Sequence, residues 1–218
     1  MKKISIYTLS LALLAVGITS CGKSTKGKMA NEWKVTSFED QAEFWTANTH
    51  HMLYKTSMAE NSVLQTVSET PFGDTTTTNS RTGTVNKNEF TIEKNGTWSW
   101  TRDITFTSGT SGDNYLVELS GSWSFVGKTK GDDFKKNERV LFNIESQKTV
   151  TVQTQNQQIV NTINDQATYS PGQYTQIYTI KESKKDKLEM EMESSYLYTD
   201  ETNNSKQAHS QKLILETK

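Results

Sequence analysis

Between Phe90 and Phe106 the apolar residues fall at every second position. The stretch reads FTIEKNGTWSWTRDITF, and Phe90, Ile92, Trp98, Trp100, Ile104 and Phe106 all share even parity. A period of two is that of strands with one buried face. Arg102 alone interrupts the series. The interval Lys94, Asn95, Gly96 decides how the chain turns between the two halves. A two-residue Asn-Gly loop would set Ile92 opposite Ser99 and divide the apolar set between faces. A three-residue loop pairs Glu93 with Thr97, and therefore Ile92 with Trp98 and Phe90 with Trp100. That register needs a left-handed residue at the third loop position, where Gly96 stands. The stretch is an aromatic-faced hairpin, and the rest of the chain must supply the sheet it belongs to.

Much of the remaining sequence alternates in the same way. Trp33 to Phe38 reads as a first strand, and Tyr115, Val117, Leu119, Trp123 and Phe125 take odd positions around Gly121. Glycine at that point marks a barrel strand that bends or is crossed closely. The pattern from Gly96 to Trp100 recurs from Gly121 to Phe125, one packing solution used on two strands. Val140, Phe142 and Ile144 alternate, and Val150 and Val152 continue that parity. Tyr174, Tyr178 and Ile180 form another set; Leu188, Met190 and Met192 oppose Glu189, Glu191 and Glu193; Leu213 and Leu215 close the chain. Ser37 and Asp40 form a capping pair that predicts a short helix from Gln41 to about Ala47, with Ala42 and Trp45 inward. Met52 to Val67 fits either period, and Thr70 to Thr84 reads as a long polar loop or an edge. The tally is about 8–10 strands and at most one or two short helices, with no strand-helix-strand repeat. The expected fold is all-β, an antiparallel up-and-down β-barrel.

The N-terminus stands apart from this pattern. Lys2 and Lys3 precede an apolar run from Leu9 to Ile18, too short to span a bilayer and of secretory-signal length. The run ends on small residues before Cys21, the only cysteine of the chain, and resembles a bacterial lipobox. That resemblance implies a signal peptide over residues 1–20, acylation of Cys21, and attachment to a membrane without spanning it. Residues 21–31, rich in Lys, Ser, Thr and Gly, then read as a flexible tether, and residues 32–218 as one barrel domain. Of 24 basic residues two leave with the signal, so 22 face 25 acidic ones. This balance argues against nucleic acid as a partner, which a clustered basic excess would accompany.

A first strand opening on Trp33, Lys34 and Val35, Gly-x-Trp-Ser strands at Trp98 and Trp123, and a last strand running from Leu213 to Glu216 resemble the lipocalin-like lipoproteins of Gram-negative bacteria. The resemblance covers most of residues 31–218. It implies a barrel able to hold a small apolar ligand. With Lys23, Lys26 and Lys28 after the cysteine, it also implies an outer-membrane anchor facing the periplasm.

Catalytic chemistry has little to stand on. His50 and His51 are adjacent and point to opposite faces of a strand, and His209 is the only other histidine. Asp132 and Asp133 lie among lysines without the spaced oxygen ligands of a calcium loop. There is no phosphate loop, dinucleotide fingerprint or nucleophile elbow. Glu89, Glu93, Glu118 and Glu145 fall opposite the apolar face. The sequence therefore points to a protein that is not an enzyme and carries no metal or cofactor. Trp98, Trp100, Trp123 and Tyr178 are the candidate ligand-binding residues. They either fill the core or line a cavity for an apolar ligand. A third reading makes such rings an outer platform on which a glycan stacks, as in a carbohydrate-binding module.

Overall fold

A computed structural model describes residues 25–46, 50–71, 75–127, 137–199 and 204–218. Residues 1–20, expected to be a signal peptide, Cys21 and the Asp132–Asp133 pair lie outside the described residues. The chain begins with a one-turn helix α1 (Thr25–Met29). Eleven antiparallel strands follow: β1 (Asn31–Thr46), β2 (His50–Ala59), β3 (Ser62–Pro71), β4 (Thr77–Ile92), β5 (Thr97–Ser108), β6 (Ser111–Gly127), β7 (Glu138–Gln155), β8 (Gln158–Thr168), β9 (Thr175–Ser183), β10 (Lys187–Thr199) and β11 (Asn204–Thr217).

Two strands change partner halfway along, and this shapes the molecule. Asn31 to Lys34 of β1 pair with β4, whereas Ser37 to Thr46 pair with β2. Glu138 to Asn143 of β7 pair with β9, whereas Ser146 to Gln155 pair with β8. At the end holding Asn31 and Glu138, called lower here, eight strands close a ring in the order β1, β4, β5, β6, β7, β9, β10, β11. Towards Thr46 and Gln155 the hairpin β2–β3 wedges between β1 and β4, and β8 adds to β7. The upper half is thus a flared sheet running from β8 round to β10, with no ladder joining those two strands among the described residues. Full closure removes sheet edges below, and flaring leaves two above.

The central hairpin has the expected register. Glu93 N–H donates to Thr97 O at 2.9 Å, Ile92 faces Trp98, and Phe90 faces Trp100. Gly96 sits at φ +95°. Gly121 marks the predicted close crossing: a Cβ there would lie 2.0 Å from Asn143 O and 2.9 Å from Glu145 N. Trp98 faces Gly121 across β5–β6, and its indole N–H donates to the same Asn143 carbonyl at 3.0 Å. The glycine thus admits β7 at the point where that strand passes from β9 to β8.

Several expectations are corrected. Gln41 to Thr46 is strand, because β2 and β11 flank it and take its backbone groups on both sides. The register shift between Val35 and Ser37 reverses parity, so Trp33, Val35 and Phe38 all face the core and Trp45 turns outward. A second shift, opposite Ser120 and Gly121, turns Val150 and Val152 to the outer face with Leu116. A β-bulge inserts one residue and exchanges the faces beyond it. Met52 to Val67 forms the β2–β3 hairpin, with Glu60 at φ 50° in its turn. The second half of the Thr70 to Thr84 stretch is strand β4, paired with β3. These additions bring the count to eleven strands. Within the stretch expected to be a tether, Thr25–Met29 is helical: α1 caps the lower ring, where Met29 is fully buried and its carbonyl accepts the Trp33 indole N–H at 2.9 Å.

Candidate functional site

The lower ring is filled by rings. Phe90 stacks on Trp98 at 5.4 Å, Phe142 meets Trp98 at 5.1 Å, and Phe38 stands edge-on to Trp100 at 5.1 Å. Trp98 and Trp100 are 3 % and 2 % exposed, and Trp123 and Tyr178 are buried as well. Each indole N–H has an acceptor inside: Trp98 the Asn143 carbonyl, Trp100 the Asn88 side-chain oxygen at 2.8 Å, Trp123 the Glu93 carbonyl at 2.8 Å. These rings are core. A glycan platform made of Trp98, Trp100 and Trp123 is not available, because no ring face is left for a sugar.

One step above this apolar plug the inward positions turn polar. Arg102 follows Trp100 on β5, Asp40 follows Phe38 on β1, and Gln211 and His209 follow Leu213 on β11. His209 Nε2 lies 2.7 Å from Asp40 Oδ1, and the Gln211 side-chain amide donates to the same oxygen at 2.9 Å. The Tyr178 hydroxyl donates to Gln211 Oε1 and lies 3.3 Å from Gln176 Oε1. The Arg102 guanidinium lies 4.4 Å from the Trp100 ring centre and 5.4 Å from that of Phe38. Among the described residues no carboxylate comes within 4.0 Å of it.

Exposure changes across this layer. Phe38 and Trp100 are buried, whereas Arg102, Asp40, Gln211 and His209 are half-buried. The polar layer is the floor of the flared upper half, a concave face called the cup here, and Ile104 and Phe106 stay buried above Arg102 on β5. Phe44, Met52, Tyr54, Val67 and Val117 share the inner face above it. Phe44 and Tyr54 meet edge-on at 5.8 Å. At the rim Arg81 lies over Phe106 at 4.0 Å and contacts Asp113 at 3.4 Å. A groove of about 470 Å³ crosses the outer face over β2, β1, β11 and β10. Glu191 and Lys212 on its wall pair with each other at 3.6 Å, and Glu39, Glu193 and Lys55 complete a polar, charged lining.

The electrostatics of the floor follow from burial. Desolvation pulls the Arg102 guanidinium below its ordinary value, with the negative fields of Asp40 and Tyr178 opposing. It stays charged, since guanidinium does not lose its proton in proteins. Desolvation pushes the Tyr178 phenol well above its ordinary 10.0, Asp40 adds to the rise, and Arg102 opposes it. The folded protein therefore keeps a proton that the unfolded chain releases near pH 10. Stability from this group is complete below that pH and is lost as pH climbs above it. Urea midpoints measured from about pH 9 to 11 should fall more steeply for the native protein than for Tyr178→Phe. Parallel curves would contradict the buried phenol.

The three histidines separate as the strand geometry demands. His50 pairs with Glu69 at 2.5 Å on the inner face, and His51 pairs with Glu43 at 2.9 Å on the outer face, stacked on Trp45. Only His209 reaches the floor. Among the described residues no three His, Cys, Asp or Glu side chains gather as a metal site would require. Of the sequence candidates, Trp100 and Tyr178 border the floor, while Trp98 and Trp123 lie in the packed ring below it. Asp40, His209 and Gln211 were missed. Parity could have found them, since Gln211 and His209 continue the alternation of Leu213 and Leu215, and Asp40 that of Phe38. No protein-family model matches the chain, and no curated protein matches its sequence.

Proposed function

We propose that the protein is a non-enzymatic lipoprotein of the cell envelope, held in the outer membrane by acylated Cys21 and facing the periplasm, with a lipocalin-like barrel that receives a small apolar ligand. The observation that carries the reading is the cup: a plugged, closed ring below, and above it an open inner face where Phe44, Met52, Tyr54, Val67 and Val117 remain partly accessible. Pockets of this kind are apolar walls with a few convergent polar groups, and the floor supplies those groups. The pairing of His209 with Asp40 resembles a general-base pair. Yet among the described residues no serine or threonine oxygen is hydrogen-bonded to it as a nucleophile would be, which favours binding over catalysis.

Titration of the full-length protein with Nile red tests the cup. Saturable, blue-shifted emission is expected, weakened about tenfold by Val67→Asp, which sets a charge on the wall. A signal that never saturates, or one indifferent to Val67→Asp in a folded variant, contradicts ligand carriage. Incorporation of labelled palmitate, abolished by Cys21→Ala, tests the anchor.

A further inference from the structure

Between the cysteine expected to carry the lipid and the first turn of the fold there is almost no chain. Gly22, Lys23 and Ser24 alone separate Cys21 from Thr25, and even fully extended they allow a span of only about 14 Å. The far end of that span is fixed to the barrel. Met29 is buried in the lower ring, its carbonyl accepts the Trp33 indole N–H, and Lys26 Nζ lies 6.0 Å from the centre of the Trp123 ring. The lower end therefore stays close to the surface that holds Cys21. Two turns reach the same end from opposite sides. In ring order the β4–β5 and β9–β10 turns have four strands between them whichever way the ring is followed. Lys94 stands at the tip of the first, Lys184 and Lys185 at the tip of the second, and Lys26 and Lys28 on the capping helix. Lys184 pairs with Glu182 at 2.5 Å. Lys26, Lys94 and Lys185 are exposed, and neither they nor Lys28 have a carboxylate within 4.0 Å among the described residues.

We infer that the lower end of the barrel is a membrane-docking face, seated on anionic lipid headgroups through Lys26, Lys28, Lys94 and Lys185, with the cup opening away from the bilayer. It rests on the acylated Cys21 proposed above and adds how the domain stands on its anchor. The acyl chains supply the affinity, and the lysines supply the orientation. Glu93 and Asp186 are exposed beside the two turn tips, so the face is a set of separate cations and not one broad field. Such cations are drawn to an anionic surface only within a Debye length, about 10 Å, and the short span keeps them at that range. Lysines on opposite sides of the ring, with two more on the helix that caps it, define a plane. A barrel that tips over lifts at least one of them from the headgroups. From Thr97 at this face to Ser108, β5 runs roughly 37 Å along its own axis, which sets the rim of the cup well clear of the lipid.

The test uses the full-length acylated protein in phosphatidylcholine vesicles that contain phosphatidylglycerol and a lipid with a nitroxide on its headgroup. A dye is carried on Thr97→Cys or on Thr110→Cys, exposed sites at the two ends of one strand, the thiol of Cys21 being taken up by the lipid. The nitroxide is expected to quench the dye at position 97 and spare the dye at position 110. That contrast should be lost when phosphatidylglycerol is left out, or when salt is raised to about 1 M and the Debye length falls to roughly 3 Å. Lys94→Glu combined with Lys185→Glu should abolish it at low salt. Equal quenching at the two sites, or stronger quenching at 110, would overturn the docking face. A contrast indifferent to phosphatidylglycerol and to salt would overturn its seating through lysines. Failure of the protein to float with the vesicles at all would overturn the anchor itself and this inference with it. The lipid and salt series needs no lysine variant, so it stands whether or not the charge-reversed protein folds.

Discussion

Replacing Gly121 with alanine is expected to destabilise the protein by about 3 kcal/mol or more, a severe effect for one added methyl group. The added Cβ would stand 2.0 Å from the Asn143 carbonyl oxygen, with Glu145 N at 2.9 Å behind it. Both neighbours are backbone and cannot turn aside as a side-chain tip would. Relief requires β7 to retreat from β6 at the point where it exchanges β9 for β8. The retreat would also pull the Asn143 carbonyl from the Trp98 indole. Urea denaturation of Gly121→Ala against the native chain measures the effect. A midpoint shift worth less than ~0.5 kcal/mol, as for an ordinary surface change, would contradict the close approach of the two strands.

Trp98→Ala should cost about 3–5 kcal/mol, the range for deleting a large buried ring. The ring stacks on Phe90, touches Phe142, and covers the site where Gly121 lets β7 in. Its removal leaves a cavity among rigid rings and takes the indole donor from the Asn143 carbonyl. Trp98→Phe should cost less, because a ring still fills the space and only the hydrogen bond is lost, about 1–3 kcal/mol. An alanine variant as stable as the native protein would place the indole in solvent rather than in the core. Trp98 and Gly121 share one contact, so the effects of their substitutions should not add.

The central hairpin was legible because two independent constraints agreed, the parity of six apolar residues and the geometry of a loop ending in glycine. Gly121 was legible for a similar reason, as a glycine inside a strand of large side chains. Parity failed where a single residue bulges. Nothing in Thr36 or Glu145 announces an insertion, yet each exchanges the two faces of its strand, and with them the fates of Trp45, Val150 and Val152. The capping pair Ser37 and Asp40 predicts a helix from local hydrogen bonding alone, whereas the flanking strands β2 and β11 take the backbone groups of that segment. In the fold Asp40 turns inward to His209, 169 residues away. A partner so distant leaves no mark on either local stretch, and the floor of the cup emerges only when β1, β5, β9 and β11 face one another around the ring. Arg102 was visible as an exception, but its place against Trp100 and Phe38, level with the Asp40 layer, depended on the assembled barrel.

Hydrogen exchange resolved along the chain tests most directly the division into a plugged ring and an open cup. Amides at Phe90, Trp98, Trp100, Phe142, Leu213 and Leu215 should exchange only when the whole domain unfolds, while those along β8, paired on one side and exposed at Ile159 and Val160, should exchange much sooner through local opening. Protection of β8 equal to that of the ring, or rapid exchange at Trp98 and Trp100, would contradict it.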